Sequence, residues 1–313
     1  MKAVLHHDIG NGIRRLLEAV DRRTVDIVVV GVADEARLRQ ELADAEVLLH
    51  VLAPVSATVM AWGPHLRLVQ KIGIGVDAID LAAARERGIA VCNMPGTNTQ
   101  AVVELTLALI FACLRRLIAV DAETRQGRGW PIRADLVEDI GEISGKCVGL
   151  IGYGAVSRRL APVLQALGAR VVAHDPVVQA ADVPLLPCED VLREADVVSL
   201  HAPLTPETQN LLDARRIAMM KPGAIVINTA RGRLIDENAL VDALSDGRLG
   251  AAGLDVFPEE PPAAGSPLFS LANVVVTPHI AWLTTQTWQR SLDVVVDNCR
   301  RLAAGEPPLN RVA

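Results

Sequence analysis

The sequence contains few aromatic side chains, with three Phe, one Tyr and four Trp among 313 residues. Buried cores in this chain must therefore consist mainly of Val, Leu, Ile and Ala. Such cores are typical of parallel β-sheets that are covered by helices on both faces. A chain of this length is expected to form about two domains. The composition therefore favours an α/β protein with two domains.

The sequence also lacks paired cysteines. Its five cysteines are widely spaced and no CxxC motif occurs, so we expect reduced, structural thiols and a cytoplasmic location. It has no block of basic residues, and its net charge of −6 arises from acidic and basic residues that are mixed along the chain. This pattern argues against a nucleic-acid partner, and the absence of zinc-ligand spacing argues against a metal site.

A long hydrophobic run is missing as well. The longest apolar segment, near residues 107–114, is too short to span a bilayer. The first ten residues, MKAVLHHDIG, do not contain the apolar core of a signal peptide. We therefore expect a soluble protein with no membrane partner.

The stretch from Val148 to Asp175 has the pattern of a strand, a tight turn, a helix and a second strand. Glycines in the turn allow a ligand to approach the backbone, and the helix behind them offers free N–H groups to a pyrophosphate. Asp175 ends the second strand, where its carboxylate can accept hydrogen bonds from an adenosine ribose. Ser157 stands where the fingerprint usually has Gly or Ala. The predicted dinucleotide contacts of this stretch are Gly152, Tyr153, Gly154, Ala155, Val156 and Asp175.

A second turn of the form G-x-G-x-x-A spans residues 73–78 and also follows an apolar run. The helix predicted after it is short, and the next strand ends at Cys92 and Asn93 without an acidic residue. Because the ribose partner is missing, we expect this turn to serve a different purpose.

A long apolar helix is predicted over residues 98–120. TNTQ at 97–100 has the pattern of a capping box, a hydroxyl followed three residues later by an amide. The residues that follow are apolar on nearly every side of the helix. Such a helix must be buried, either between domains or against a second subunit.

Three charged side chains follow successive predicted strands in the second half of the chain. Arg231 follows strand 224–228, Glu260 follows strand 253–256, and His279 follows strand 274–277. Ligands of open parallel sheets bind beyond the carboxyl ends of the strands, so these side chains are expected to converge beside the dinucleotide. Arg can bind a carboxylate, His can exchange a proton near neutral pH, and Glu can orient the imidazole.

From about Leu68 onwards, the sequence resembles the D-isomer-specific 2-hydroxyacid dehydrogenase family. The shared stretches are GYGAV with Asp175, HAPLTPET, KPGAIVINTARGRLIDENAL, GLDVFPEEP and TPHIAW. The resemblance implies a Rossmann-type NAD-binding domain, residues 95–282, inserted in a smaller flavodoxin-like substrate-binding domain, residues 1–94 and 283–313. The active site is then expected in the cleft between them, and a homodimer is expected because family members pair through the region of the long helix.

The resemblance also implies residue roles. Arg231 would hold the substrate carboxylate and carbonyl, His279 would protonate the carbonyl oxygen, and Glu260 would pair with His279. Backbone N–H groups of Ile74 and Gly75 would bind the substrate carboxylate, and Asp255 would bond the nicotinamide carboxamide. Further residues implied to line the cofactor site are Thr106, His201, Pro203, Thr208, Thr229 and Ala230, although packing is an equal alternative for His201.

The resemblance implies an NAD-dependent reductase of a small 2-oxo acid to the D-2-hydroxy acid. The TPHIAW motif at residues 277–282 favours glyoxylate or hydroxypyruvate as substrate. Two alternatives stay open: a 3-phosphoglycerate dehydrogenase of the short type, and an NAD-sensing corepressor that binds partner proteins.

Overall fold

The computed structural model describes residues 1–130, 132, 136 and 140–313. The chain forms two compact units. The first contains residues 1–98 and 282–313, and the second contains residues 99–281. The second unit is thus an insertion between two segments of the first.

The first unit is built on a five-stranded parallel sheet with the order β2-β1-β3-β4-β5. This is the order of a flavodoxin-like doubly wound sheet. Its strands are β1 (Lys2–His6), β2 (Asp26–Val30), β3 (Val47–His50), β4 (Leu68–Lys71) and β5 (Ala90–Cys92). Helices α1 (Asn11–Glu18), α2 (Glu35–Leu42), α3 (Ala57–Ala61) and α4 (Leu81–Glu86) connect them.

Alternate residues of these strands supply two separate cores. Ala3 and Leu5 of β1 belong to one apolar cluster, whereas Val4 between them belongs to a cluster on the opposite face. Both faces are covered, which explains why the strands are apolar at consecutive positions. The prediction of a helix-covered parallel sheet in the first part of the chain is confirmed.

The second unit is built on a six-stranded parallel sheet with the order β11-β10-β9-β8-β6-β7. Its strands are β6 (Cys147–Ile151), β7 (Arg170–His174), β8 (Val197–Leu200), β9 (Ala224–Asn228), β10 (Leu249–Leu254) and β11 (Val274–Val276). Its helices are α5 (Thr99–Leu114), α6 (Leu117–Arg125), α7 (Ala155–Ala166), α8 (Cys188–Glu194), α9 (Ala214–Met219) and α10 (Glu237–Ser245). The predicted Rossmann-type sheet is confirmed. The chain then returns to the first unit through α11 (Thr285–Ala303).

The single helix predicted over residues 98–120 is wrong, because α5 and α6 are separate. Arg116 has a left-handed backbone (φ 51°), which ends one helix before the other begins. The predicted capping box is wrong as well. The Thr97 hydroxyl donates to the Met94 carbonyl, and the Gln100 side chain donates to Glu104.

The apolar surface of α5 is explained largely by its own unit. It packs against β9, β10, β11 and α7, and one core cluster of the second unit includes its buried residues Val103, Leu109, Ile110, Cys113 and Leu114. Large apolar side chains are exposed on the following helix instead, where Leu117 is 50% exposed and Ile118 is 60% exposed. In the part of the chain that the structure describes, no helix has both the length and the apolar character needed to cross a membrane.

Candidate functional site

The carboxyl edge of the second sheet gathers most of the residues that the sequence singles out. Gly152 follows β6, Asp175 follows β7 and His201 follows β8. In the other half of the strand order, Thr229 follows β9 and Asp255 follows β10. All strands are parallel, so these positions share one edge, where doubly wound folds bind their ligands.

Two glycines of the turn after β6 have different surroundings. Gly152 has φ 91°, and a Cβ there would lie 2.7 Å from the His201 carbonyl carbon, so the fold itself requires glycine. At Gly154 no atom of the described residues lies within 4 Å of a Cβ position. Helix α7 begins at Ala155, and Val156 is also in its first turn, where the N–H groups have no intrahelical acceptor. This turn fits an anionic group such as a pyrophosphate.

Ser157 departs from the usual Gly or Ala of the fingerprint, and the structure explains how it is accommodated. The side chain is fully buried, and its hydroxyl donates to the Gly152 carbonyl at 2.5 Å. The polar atom is therefore satisfied, and the bond closes the turn against the helix.

The carboxylate of Asp175 accepts three backbone hydrogen bonds. Oδ2 accepts from the Tyr153 N–H at 2.8 Å, and Oδ1 accepts from Val177 and Val178 at 2.9 and 3.0 Å. Partial burial would raise the pKa of Asp175, but these bonds outweigh it and the pKa is lowered. The result is a fixed negative charge at the glycine turn, and a carboxylate has about four acceptor sites, which leaves capacity for a ribose hydroxyl.

The loop after β8 contains three of the predicted cofactor residues. The Thr208 hydroxyl accepts from the Thr205 N–H and donates to the Pro203 carbonyl, both at 2.7 Å, so it closes the loop. His201 lies 2.9 Å from the Ser199 hydroxyl through Nε2, and burial lowers the pKa of His201 to about 4. The imidazole is therefore neutral at physiological pH, and its contact with Ser199 holds it against the end of the strand.

Thr106 links helix α5 to the residue after β9 through a contact between two hydroxyl groups. Its side chain is fully buried, donates to the Val102 carbonyl at 2.7 Å and lies 3.0 Å from the Thr229 hydroxyl. Thr106 therefore positions Thr229 from within the protein. The next residue, Ala230, donates its N–H to the Asn228 side chain at 3.0 Å.

Arg231 and its neighbours form a short segment, residues 230–232, that we call the Arg231 segment. The guanidinium donates to the Ala230 carbonyl at 2.7 Å. A Cβ on Gly232 would lie 1.9 Å from the Phe257 carbonyl carbon and 2.3 Å from the Pro258 nitrogen. The Arg231 segment thus packs directly on the backbone that leads to Glu260.

Glu260 and His279 form the predicted pair. Glu260 Oε2 lies 2.6 Å from His279 Nδ1, and Oε1 accepts from the Phe257 N–H at 3.0 Å. Partial burial would raise the pKa of Glu260, but the bonds from His279 and Phe257 and the positive charge of Arg231 lower it. Arg231, Glu260 and His279 are therefore close enough to interact electrostatically, as a site that binds an anion and moves a proton requires.

Asp255 organises the His279 loop, residues 277–281. The predicted strand over 253–256 is wrong at both ends: β10 begins at Leu249 and stops at Leu254. Asp255, the first residue after the strand, is fully buried. Its Oδ1 accepts from the Thr277 hydroxyl and the Ile280 N–H at 2.6 and 2.9 Å, and its Oδ2 accepts from the Ala281 N–H at 2.8 Å. The chain itself thus satisfies three of the roughly four acceptor sites of this carboxylate, and the predicted bond from Asp255 to a nicotinamide carboxamide stays a prediction.

The backbone of His279 is held in an uncommon conformation. Its φ is 53°, and its N–H donates to the Asp255 carbonyl at 2.7 Å. Left-handed backbone at a residue other than glycine is costly and is concentrated at functional sites. The network around Asp255 supplies the contacts that maintain it.

The turn at residues 73–75 lies in the first unit, after β4. The Gly73 carbonyl accepts from the Met94 N–H at 2.8 Å, and the Ile74 carbonyl accepts from the Asn93 side chain at 3.0 Å. The Ile74 side chain is 43% exposed. These bonds fix the turn that includes the predicted contacts Ile74 and Gly75.

Asn228 and Gly232 were not singled out from the sequence, although both shape the site. The signal for Asn228 is a polar residue at the end of an apolar strand, AIVIN. Nothing in the local pattern shows that Gly232 meets the backbone of residues 257–258. Among the described residues, no group of three or more His, Cys, Asp or Glu side chains could hold a metal ion.

The chain is similar in sequence and in fold to known proteins. The family model "D-isomer specific 2-hydroxyacid dehydrogenase, NAD binding domain" matches residues 107–281. The glycerate dehydrogenase of Methylorubrum extorquens is 38% identical over 272 residues, which are 86% of each chain. A crystal structure of the TT0316 protein from Thermus thermophilus superposes over 100% of both chains with a TM-score of 0.90 and 39% identity.

A longer relative is also similar. The D-3-phosphoglycerate dehydrogenase of Mycobacterium bovis is 41% identical over 288 residues, which are 90% of this chain and 54% of that protein. The chain thus spans about half the length of the phosphoglycerate dehydrogenases that it matches.

The two glycines of the turn are expected to respond differently to substitution by alanine. Gly152→Ala should lower the free energy of unfolding by about 1–3 kcal/mol, because of its left-handed φ and its contact with residue 201. Gly154→Ala should leave thermal unfolding unchanged but weaken NADH binding, because its Cβ would occupy space beside the helix N-terminus. Differential scanning fluorimetry and NADH fluorescence titration measure the two effects. Equal destabilisation by both substitutions would contradict the assignment.

Proposed function

Since the chain belongs to the D-isomer-specific 2-hydroxyacid dehydrogenase family, we propose that it is an NAD-dependent oxidoreductase acting on a small 2-oxo or D-2-hydroxy acid. The observation that carries this proposal is the His279–Glu260 pair, 2.6 Å apart, within electrostatic range of Arg231. The pair and Arg231 lie at the sheet edge that also carries the glycine turn and Asp175. A proton donor, an anion-binding group and a dinucleotide turn are the parts that carbonyl reduction needs.

Each residue of the proposed site has a distinct task. Arg231 holds the substrate carboxylate and stabilises negative charge on the carbonyl oxygen as it develops. His279 donates a proton to that oxygen in reduction and removes it in oxidation. Glu260 holds the imidazole through Nδ1, which directs Nε2 towards the reacting oxygen. NADH supplies the hydride when bound.

The cofactor contacts are proposed from the same edge. The first N–H groups of α7 bind the pyrophosphate, and Asp175 accepts from the adenosine ribose. The walls of the cofactor site are formed by the loops described above, which contain Pro203, Thr208, Thr229 and Ala230. In this proposal Thr106 and His201 support the walls of the cofactor site from behind: Thr106 is fully buried and contacts Thr229, and His201 contacts Ser199.

The proposed substrate is glyoxylate or hydroxypyruvate, with the N–H groups of Ile74 and Gly75 as further partners of its carboxylate. Support comes from the TPHIAW motif and from the similarity to a glycerate dehydrogenase. A 3-phosphoglycerate dehydrogenase is the second candidate, because the mycobacterial relatives at 41% identity have that name.

The substrate proposal predicts steady NADH oxidation with glyoxylate and hydroxypyruvate, and D-glycerate as the product of the latter. Arg231 and His279 fix which face of the carbonyl is reduced. Spectrophotometric turnover over a panel of 2-oxo acids, followed by chiral chromatography, measures both. L-glycerate as the main product would refute the proposal. Efficient use of 3-phosphohydroxypyruvate alone would replace the substrate, and NADH binding without any turnover would favour a corepressor.

The charge at Asp175 predicts a preference for NADH over NADPH. A 2′-phosphate would meet a carboxylate whose pKa is already lowered, and no Arg follows in Asp175-Pro176-Val177-Val178 to neutralise it. Asp175→Ala should narrow the preference by about tenfold or more, mainly through a higher KM for NADH. Asp190→Asn, at a surface ion pair of the same unit, is the control. Equal efficiency with both cofactors in the unaltered protein would disprove the preference.

The homodimer and the cytoplasmic location stay predictions. For the dimer, support comes from the exposed apolar side chains Leu117 and Ile118 on α6 and Trp130 beyond it, which is 76% exposed. Light scattering at micromolar concentration should give twice the chain mass, and a monomer mass would rule the dimer out.

A further inference from the structure

We infer that Asn228 is a positioning residue that sets the placement of Arg231 for substrate binding. The inference rests on the proposed role of Arg231. Asn228 is the last residue of β9, and it is 1% exposed. A buried amide at the end of an apolar strand needs hydrogen-bond partners, and the structure shows where it finds them.

The side-chain amide of Asn228 holds the Arg231 segment at two points. Its Oδ1 accepts from the Ala230 N–H at 3.0 Å, and its Nδ2 donates to the Arg231 carbonyl at 2.9 Å. The peptide group between Ala230 and Arg231 lies within this bracket. The Ala230 carbonyl, which belongs to that peptide, accepts the bond from the Arg231 guanidinium at 2.7 Å. One side chain therefore determines the orientation of the peptide against which the guanidinium rests.

The main chain of Asn228 connects the same segment to His279. The Asn228 carbonyl accepts from the Asp255 N–H at 2.9 Å, and the Asp255 carbonyl accepts from the His279 N–H at 2.7 Å. On the far side of the segment, Gly232 meets the backbone of residues 257–258 with no room for a Cβ. The segment is thus fixed at both ends, by the Asn228 amide on one side and by close backbone packing on the other.

The bracket depends on the chemistry of an amide, because the side chain must both accept and donate. In an Asn228→Asp variant, the nearly isosteric carboxylate could keep the bond from the Ala230 N–H but would face the Arg231 carbonyl without a proton to donate. Two oxygens in contact repel, and the segment should move. Burial raises the pKa of a carboxyl group. Protonation of the new carboxyl at lower pH would restore a donor to the Arg231 carbonyl.

The test is Asn228→Asp, with Asn273→Asp as its matched control. Asn273 lies in the same unit and also donates its Nδ2 to a backbone carbonyl, that of Leu244 at 3.2 Å, but away from the Arg231 segment. For Asn228→Asp we expect the KM for the 2-oxo acid to rise about tenfold or more, since a buried bond is lost. The dissociation constant of NADH should stay within about twofold of the unaltered protein, because the variant keeps the bond from the Ala230 N–H, on the cofactor side of the segment, and Arg231 does not bind the cofactor in this account. Asn273→Asp should change neither value.

The pH dependence separates positioning from general damage. The ratio of the KM of Asn228→Asp to that of the unaltered protein should fall as the pH is lowered from about 8 to about 6. A ratio independent of pH, a KM equal to that of Asn273→Asp, or a parallel loss of NADH affinity would overturn the inference. Should Asn228→Asp fail to fold, Asn228→Ser should raise KM without recovery at low pH, and an unchanged KM there would also overturn it.

Arg231→Ala distinguishes failure of this inference from failure of the proposed function. A higher KM in Arg231→Ala together with an unchanged KM in Asn228→Asp would reject only the role of Asn228. An unchanged KM in Arg231→Ala would reject the proposed role of Arg231, and the inference about Asn228 would fall with it.

Discussion

The carboxylate of Asp255 is fully buried, and the need to satisfy it determines the shape of the site around it. An unsatisfied buried carboxylate would be strongly destabilising, and burial here raises its pKa despite its partners. The chain meets this need with the Thr277 hydroxyl and two N–H groups from residues 280–281. Wrapping the loop around one side chain forces its central residue, His279, into a left-handed backbone. The position of the proposed proton donor thus follows from the solvation of a neighbouring charge.

A second constraint is steric and acts through glycine. Gly232 and Gly152 each lie where a Cβ would collide with the backbone of an adjacent strand-end loop. The loops after β9 and β10 can therefore approach each other, as can those after β6 and β8. Arg231 immediately precedes one such contact and the dinucleotide turn contains the other. Parallel strands bring the loops to one edge, and the glycines let them come close enough to act together.

Much of the fold could be predicted from the sequence, because buried parallel strands leave short apolar runs that end at polar residues. Two of the predicted boundaries are wrong, at the end of β10 and between α5 and α6, because the apolar residues continue beyond the end of the strand or helix. Val256 and Phe257 are buried by loop packing, 3% and 7% exposed, so β10 appeared to extend beyond Leu254. The sequence predicts one helix across α5 and α6 because Arg116, the residue at the break, is neither glycine nor proline. The His279–Glu260 pair was predicted from strand ends and family motifs, whereas the bracket formed by Asn228 depends on tertiary hydrogen bonds that no local pattern reveals.

The central claim is that His279 exchanges the substrate proton while paired with Glu260. The pH dependence of kcat/KM for reduction in Glu260→Gln tests it most directly, with Glu259→Gln as the neighbouring control. Reduction requires the protonated imidazole, which loses a negative partner at 2.6 Å in this variant. The fall in rate with rising pH should therefore move to lower pH, and Glu259→Gln should not move it. An unchanged profile in Glu260→Gln would contradict the account.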